Sequence, residues 1–315
     1  YKGRDMSELN TYKIEHKILT LAHCAVMEKK DEPASFEVNG IKFYHWDFNY
    51  RDGWTTDAWI ASSEIRSKSF VDAINIFSKK LSKLIPRISL ICQSYIEFTI
   101  EPFLIHKTSA DVAFFKYIVD VHGGGLMFME KEQEALKELL VNTEIPEEFY
   151  YYWNDAVNAI GYSAKLLLMF SAIEAFVKKN GNKDWTLINE ILGKELVEEL
   201  FGTKEVPNTG LRHRLVHGEY FSNQDNGKNY LELIHNKILK YFNTKIFSKP
   251  FISENVVHPQ RHFFGNKQEG RWFIKRKNGD STFSLKDLMN DFTENGFRTP
   301  ANYEIVFDEN LSATY

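Results

Sequence analysis

Sustained helical periodicity after residue 129 is the feature that most constrains the fold of this chain. The segments EKEQEALKELL, PEEFYYYWNDAVNAIG and YSAKLLLMFSAIEAFVKKNG carry apolar residues at helical spacing, with breaks at Pro146 and near Gly161. The pattern continues through TLINEILGKELVEELFG, GLRHRLVHGEY and NYLELIHNKILKYFNTKIF, and it ends before Pro250. Connections this short favour antiparallel packing. The sequence therefore predicts a helical bundle over residues 129–248.

The first part of the chain has a different pattern. Between Ser35 and Ala61 apolar and polar residues alternate, as expected for strands, and Asn39-Gly40 is typical of a hairpin turn. Apolar residues then recur at helical spacing from Phe70 to Ile85, and Pro86 is expected to stop that helix. The runs RISLICQSYIEFTIEPFLI and DVAFFKYIVDV are rich in β-branched and aromatic residues, which favour strands. Residues 1–128 are therefore predicted to form an α+β domain.

The last part of the chain is expected to form a small separate module, residues 249–315. NVVHPQRHFFG, RWFIKRK and YEIVFDE are predicted strands, FSLKDLMNDFTENG is a predicted helix, and Asn278-Gly279 is a predicted turn. The predicted fold class is α+β. It comprises an N-terminal mixed α/β domain, a central all-α bundle of four to five helices and a small C-terminal mixed β/α appendage.

Composition limits the classes of function. The formal net charge of −4 means that any contact with nucleic acid must be local. Cys24 and Cys92 are too few for a disulfide framework and lack metal-ligand spacing, which indicates a reducing compartment. With no apolar run of ~18–20 residues and no leader-like N-terminus, we expect a cytoplasmic protein without membrane contact. No P-loop or GxGxxG is present, and no cofactor is expected.

The segment GLRHRLVHGEY concentrates arginine and histidine. Arginine binds anions without losing its proton and histidine exchanges protons near neutral pH, so the pair suits chemistry at a phosphate. Asn208 or Thr209 is predicted to cap a helix that carries Arg212 in its first turn, where free N–H groups also attract anions. His217 lies roughly 140° further around an ideal helix, so the two side chains converge only because arginine is long.

Two stretches carry a resemblance to a known family. They are LLMFSAIEAFVKK, with Glu174 inside an apolar helix, and LRHRLVHGEY, with Arg212, His213 and His217 followed by Gly218. The chain here resembles the HEPN ribonucleases and RNA-binding proteins, in particular their Apea-like branch. The resemblance covers the predicted bundle only, less than half of the chain.

The resemblance implies a metal-independent endoribonuclease that acts as a homodimer with both motifs at a shared cleft. An RNA 2′-hydroxyl would attack the adjacent phosphorus while His217 transfers a proton and Arg212 stabilises charge on the phosphate. His213 would be a second polar contact, and Glu174 would orient His217 or Arg212. Proteins of this branch are implicated in prokaryotic phage defence, abortive infection or toxin systems, which implies an antitoxin or a phage-derived trigger as partner.

Other interpretations of the same residues remain open. His213 and His217 could cap or pack a helix, with Arg212 and Glu174 forming an ion pair that has no catalytic role. The protein would then be a noncatalytic RNA-binding or dimerisation module. His213 and His217 also have the spacing of two metal ligands on one helix face, but the glutamate of HExxH is missing, so no metal site is expected.

A second basic stretch lies between His258 and Lys277. It contains six Lys or Arg residues and one Glu, with aromatic residues interleaved. Basic side chains bind phosphates and aromatic rings stack on unpaired bases, so the stretch is a candidate RNA-binding patch. The alternative is an exposed strand face with lysines lying over a small core. The residues predicted to bind RNA are Arg214 in the bundle and Arg261, Lys267, Arg271, Trp272, Lys275, Arg276 and Lys277 in this stretch.

Overall fold

The structure is a computed structural model that describes residues 9–18, 35–49, 55–92, 96, 100–119, 130–218, 224–248, 268–296 and 298–306. The fold is mixed α/β with a large antiparallel sheet. The chain divides into two compact units. The first unit comprises Tyr1–Lys83, Glu97–Leu126 and Phe263–Tyr315, and the second comprises Leu84–Ile96 and Met127–His262.

The elements are as follows in chain order. The strands are β1 (Asn10–Ile18), β2 (Ser35–Val38), β3 (Ile41–Asn49), β4 (Thr55–Ser67), β5 (Leu104–Lys107), β6 (Val112–Val119), β7 (Lys178–Lys179), β8 (Asn182–Lys183), β9 (Gln268–Arg276) and β10 (Tyr303–Ile305). The helices are α1 (Phe70–Cys92), α2 (Glu130–Val141), α3 (Glu147–Asn158), α4 (Tyr162–Phe176), α5 (Trp185–Leu192), α6 (Lys194–Phe201), α7 (Leu211–Val216), α8 (Gln224–Tyr241) and α9 (Leu285–Glu294). None of the helices that the structure describes is long and apolar enough to cross a lipid bilayer.

The first unit contains an antiparallel sheet of eight strands in the order β10-β9-β6-β5-β1-β4-β3-β2. The strands predicted between Ser35 and Ala61 are confirmed as β2, β3 and the first half of β4. Asn39 and Gly40 have positive φ angles of 53° and 67°, as a type I′ turn requires. This turn sets the register in which Val38 faces Ile41.

The C-terminal strands complete this sheet and do not form a module of their own. β9 pairs with β6 from Val112↔Lys275 to Val119↔Gln268, and β10 pairs with β9. The separate module predicted for residues 249–315 is therefore wrong for the described residues after 268, which belong to the first unit. The boundary predicted at 128 lies close to the division between Leu126 and Met127. The sequence RWFIKRK indicates a strand correctly, but a strand pattern carries no information about which distant strand it will pair with. The predicted strand NVVHPQRHFFG lies outside the described residues.

Helix α9, predicted from FSLKDLMNDFTENG, packs on the sheet. Its apolar side chains join sheet residues in one buried cluster: Ile60, Phe103, Leu104, Ala113, Phe115, Ile274, Phe283, Leu285, Leu288, Met289, Phe292 and Tyr303. Two side chains bind the free N–H groups at its start. Ser284 Oγ accepts from Asp287 N at 3.2 Å, and the buried carboxylate of Glu15 accepts from Leu285 N at 2.6 Å. The helix is thereby fixed to the centre of the sheet.

Helix α1 passes through Pro86, where the sequence predicts its end. Proline inside a helix removes a hydrogen bond and costs about 3 kcal/mol. The turns after Pro86 recover this loss through burial of Ile88, Leu90 and Ile91. The buried Arg87 adds two bonds to the carboxylate of Glu147, at 3.0 and 2.6 Å. The strand predicted for RISLIC is therefore wrong, because tertiary contacts outweigh the local proline signal.

The second unit is helical in its described residues, apart from the short hairpin β7–β8. The predicted helical periodicity is confirmed by α2, α3, α4 and α8, and TLINEILGKELVEELFG divides into α5 and α6 at Gly193, whose φ is 86°. Aromatic rings fill its core. The ring centroid of Phe149 lies 5.7 Å from that of Trp153, 5.4 Å from Phe176 and 5.5 Å from Phe242.

Replacing Phe292 by alanine tests whether α9 belongs to the core of the sheet. Phe292 is fully buried, and its ring centroid lies 4.9 Å from that of Phe115 and 5.3 Å from that of Trp272. We expect Phe292→Ala to lower the free energy of unfolding by about 3–5 kcal/mol in urea denaturation. Ile305→Ala is the matched control, because Ile305 on β10 is 39% exposed, and its loss should stay below about 1 kcal/mol. Small and equal losses for both variants would contradict this packing.

Candidate active site

Close backbone packing fixes the start of α7. Gly210 is the N-cap residue of the helix, and a Cβ atom there would lie 2.5 Å from Gly202 N and from Phe201 C at the end of α6. Leu211 and Leu215 are buried beneath the helix. The predicted capping by Asn208 or Thr209 is wrong: neither side chain caps α7, and Thr209 Oγ1 donates to Val206 O at 3.0 Å. A helix of six residues set against α6 is also a poor anion site at its N-terminus.

The end of α7 places His217 just outside the helix. His217 N donates to the carbonyl oxygens of His213 and Arg214 at 3.1 and 3.2 Å. Gly218 follows with a φ of 97°, a conformation that favours glycine and ends helices. Gly218 N still donates to Leu215 O at 3.2 Å, so His217 lies in the closing turn of the helix, and its side chain is exposed.

Glu174 on α4 joins α7 to the hairpin β7–β8. Its Oε2 lies 2.7 Å from Arg212 Nη2, and its Oε1 lies 3.0 Å from Lys183 Nζ. The ammonium group of Lys183 also lies over the rings of Trp185 and Phe201, at 5.0 and 4.5 Å from their centroids. Each oxygen of this carboxylate therefore forms an ion pair with a different side chain. The predicted proximity of Glu174 and Arg212 is confirmed, and the partner of Glu174 is Arg212, not His217.

Lys183 is a site residue that the sequence interpretation missed. The chain turns back after α4 at Asn180-Gly181, where both residues have positive φ angles of 50° and 82°. Asn-Gly is the strongest short hairpin signal in a sequence. In KKNGNK this signal predicts a hairpin, and a hairpin there would place Lys183 close to the end of α4, the helix that carries Glu174.

The two histidines of α7 contact each other. Their ring centroids are 4.2 Å apart with an interplanar angle of 51°. They lie one helical turn apart, at i and i+4, so both rings lie on one side of α7. His213 is half-buried and His217 is exposed, so solvent reaches both. Arg212 precedes His213 by one residue, about 100° around the helix, and contacts α4.

Arg214 lies on the exposed side of α7, near Tyr230 of α8. The Tyr230 hydroxyl donates to the carboxylate of Glu199. This hydrogen bond raises the pKa of Tyr230, and the charge of Arg214 opposes that rise. Arg214 therefore lies close to the hydrogen bond between Tyr230 and Glu199.

The predicted RNA-binding patch on β9 is largely engaged in ion pairs. Arg271 contacts Glu101 at 3.2 Å, Lys275 contacts Asp111 at 2.6 Å and Arg276 contacts Asp280 at 3.3 Å. The ring of Trp272 packs between Phe115 and Phe292, so it is not an exposed surface for base stacking. Lys277 is exposed, and Arg261 and Lys267 lie outside the described residues. These contacts favour the alternative interpretation, in which the strand has a charged face that covers a core.

A cavity of about 720 Å³ adjoins Glu174 and Lys183. Its wall also includes Glu144, Glu148 and Lys178, but none of the α7 residues. The excess of carboxylates makes it a poor phosphate site. The two histidines lie outside it, His213 half-buried and His217 on open surface. Open surface suits a polymeric substrate better than a small molecule.

Within the described residues, no three His, Cys, Asp or Glu side chains are grouped closely enough to hold a metal ion. Comparisons with protein-family models, with curated proteins and with solved structures find no match to the chain.

Two substitutions test how α7 is positioned. Asn208→Ala should change the free energy of unfolding by less than about 0.5 kcal/mol, since Asn208 is exposed and caps nothing. Gly210→Ala should lower it by about 1–3 kcal/mol, because the added Cβ overlaps the backbone of α6. Urea denaturation measures both. A loss of about 1 kcal/mol for Asn208→Ala, with none for Gly210→Ala, would restore the cap predicted from sequence.

Proposed function

We propose that α7 carries the reactive centre of a metal-independent endoribonuclease of the HEPN type. The observation that carries the proposal is the contact between His213 and His217, both reached by solvent, next in the chain to an arginine that Glu174 holds in place. Proton-transfer groups and a permanent cation are what RNA cleavage without a metal needs. The sequence resemblance supports the same assignment.

The reaction assigns a role to each side chain. The 2′-hydroxyl of RNA attacks the adjacent phosphorus, the bond to the 5′-oxygen breaks, and the products carry a 2′,3′-cyclic phosphate and a 5′-hydroxyl. His217, the more exposed imidazole, transfers the proton. The ion pair with Glu174 engages Arg212 Nη2, and a guanidinium carries five N–H donors, so donors remain for a phosphate oxygen. Glu174 and Lys183 are positioning residues.

The spacing of the histidines supports a composite site. A phosphodiester cleaved in line needs one proton removed on one side and one supplied on the other. Rings 4.2 Å apart leave no space for a phosphate between them, so His213 and His217 serve the same side. We propose that the second proton-transfer group comes from another copy of the chain. This is the reason to propose a homodimer in which two α7 segments face one cleft.

The biological setting rests on the resemblance alone. A nuclease on open surface endangers the RNA of its own cell, so a phage-derived trigger or an antitoxin is the expected means of restraint. A cytoplasmic phage-defence or toxin system is the setting we propose. The second candidate is a noncatalytic RNA-binding or dimerisation module, which is favoured by the carboxylate that already neutralises Arg212.

Cleavage assays with purified protein in EDTA separate these two functions. We expect the wild-type protein to cut mixed RNA and to leave DNA intact, because DNA lacks the 2′-hydroxyl. His217→Gln and Arg212→Gln should each lower the cleavage rate by about 10²-fold or more. Lys194→Gln, at an 80% exposed position on α6, is the control and should cleave at the wild-type rate.

The outcome decides between the candidates. Product ends with 2′,3′-cyclic phosphate that disappear in both variants support the nuclease. RNA that is bound but stays intact in every condition, with phage lysate added as a source of trigger, supports the noncatalytic module and overturns the enzyme.

The mass in solution tests the composite site. Light scattering at micromolar concentration should give twice the 36.8 kDa of one chain. A single-chain mass under conditions in which the protein cleaves RNA would show that one copy is sufficient.

A further inference from the structure

The first unit contains a second cavity, of about 690 Å³, with four lysines in its wall. Lys13 is on β1, Lys42 on β3, Lys80 on α1 and Lys286 on α9. Sites for small ligands have volumes of about 300–1,000 Å³, so the cavity is large enough for one. Lysines from four separate elements therefore line one ligand-sized space.

Within the described part of the chain, three of these lysines form no ion pair with a carboxylate. Lys13 bonds to Phe283 O at 2.9 Å and pairs with Glu15 at 3.4 Å. Among the residues that the structure describes, no acidic side chain forms an ion pair with Lys42, Lys80 or Lys286. The ammonium group of Lys80 lies over the β2–β3 turn, 3.1 Å from where a Cβ on Gly40 would be. Unpaired ammonium groups around one space repel each other.

The glutamate at the floor of the cavity does not neutralise them. Glu15 is buried, and its oxygens accept hydrogen bonds from Tyr44 and Ser62 at 3.1 Å each and from Leu285 N at 2.6 Å. Burial and the neighbouring Glu15 carboxylate raise the pKa of the Tyr44 hydroxyl, which therefore stays protonated and donates. The Glu15 carboxylate is satisfied by these bonds and by Lys13, and among the ion pairs of the described residues it forms none with Lys42, Lys80 or Lys286.

The cavity also carries groups that recognise the rest of a ligand. Exposed Glu37 and Glu64 lie in its wall, and Glu37 faces Lys42 across the β2–β3 hairpin. Carboxylates accept hydrogen bonds from hydroxyl or amino groups. The hydroxyls of Ser62 and Ser284 are further polar contacts. A ligand that satisfies both sets has an anionic end for the lysines and donor groups for the carboxylates.

We infer that this cavity binds a small phosphorylated molecule with hydroxyl or amino donors, of the chemical class of a nucleotide. The phosphate lies among Lys42, Lys80 and Lys286, which provide charge-assisted hydrogen bonds from three directions. Glu37 and Glu64 at the rim accept from the sugar or base. The first unit is then a ligand-binding unit, and this assignment is independent of RNA cleavage by α7.

Calorimetric titration of the full chain tests the site with three probes: inorganic pyrophosphate, AMP and adenosine. We expect pyrophosphate and AMP to bind saturably at one site per chain with Kd below about 1 mM, and adenosine to show no binding, because the phosphate supplies the attraction. The Lys42→Gln/Lys286→Gln variant should bind AMP at least tenfold more weakly. Both residues are exposed, so the variant should unfold at the wild-type temperature.

The matched control is Lys277→Gln, an exposed lysine of the first unit outside the cavity wall, which should bind AMP as the wild type does. The inference is overturned if neither phosphate probe binds, if adenosine binds as tightly as AMP, or if the double variant and the control have equal affinity. Binding of pyrophosphate without AMP retains the phosphate site and rejects the nucleotide class.

Discussion

The two ion pairs of the Glu174 carboxylate are the interaction on which the geometry of the second unit's surface around α7 depends. It binds Arg212 of α7 with one oxygen and Lys183 of the hairpin with the other, so three elements meet at one group. All three side chains are partly exposed, and ion pairs of this kind contribute about 1 kcal/mol or less each to stability. Their effect is therefore mainly orientation. The stability of α7 comes from its packing, because Leu211 and Leu215 are buried and Gly210 lies against the backbone of α6.

Much of the fold follows from periodicity and turn chemistry. The helical pattern located α2, α3, α4 and α8, and the Asn39-Gly40 signal located the first hairpin, because these depend on near neighbours in the chain. Two features could not be predicted. Pro86 lies inside a helix because Arg87 bonds to the distant Glu147 and the apolar residues after it are buried. β9 joins β6 across about half of the chain, and the pairing of distant strands is determined by burial of a whole face.

The same distinction applies to the candidate site. The i, i+4 spacing of His213 and His217 predicts their contact, and the apolar helix around Glu174 places its charge beside α7. Sequence could not reveal that α7 begins by packing against α6, nor that Lys183 shares the carboxylate. It also overestimated the β9 patch, because Glu101 and Asp111, which pair with its cations, come from elsewhere in the chain. Charge runs are visible in a sequence, whereas the residues that neutralise them are visible only after folding.

The most direct test of the central claim, that α7 receives an RNA phosphodiester, is an NMR titration that observes the histidine rings. The probe is a short RNA with methylated 2′-hydroxyls, which binds but does not react. The account predicts that the imidazole signals of His213 and His217 shift in proportion to RNA added, while those of His16, His45, His106 and His235, all buried, stay in place. Unchanged His213 and His217 signals at saturating RNA would contradict it.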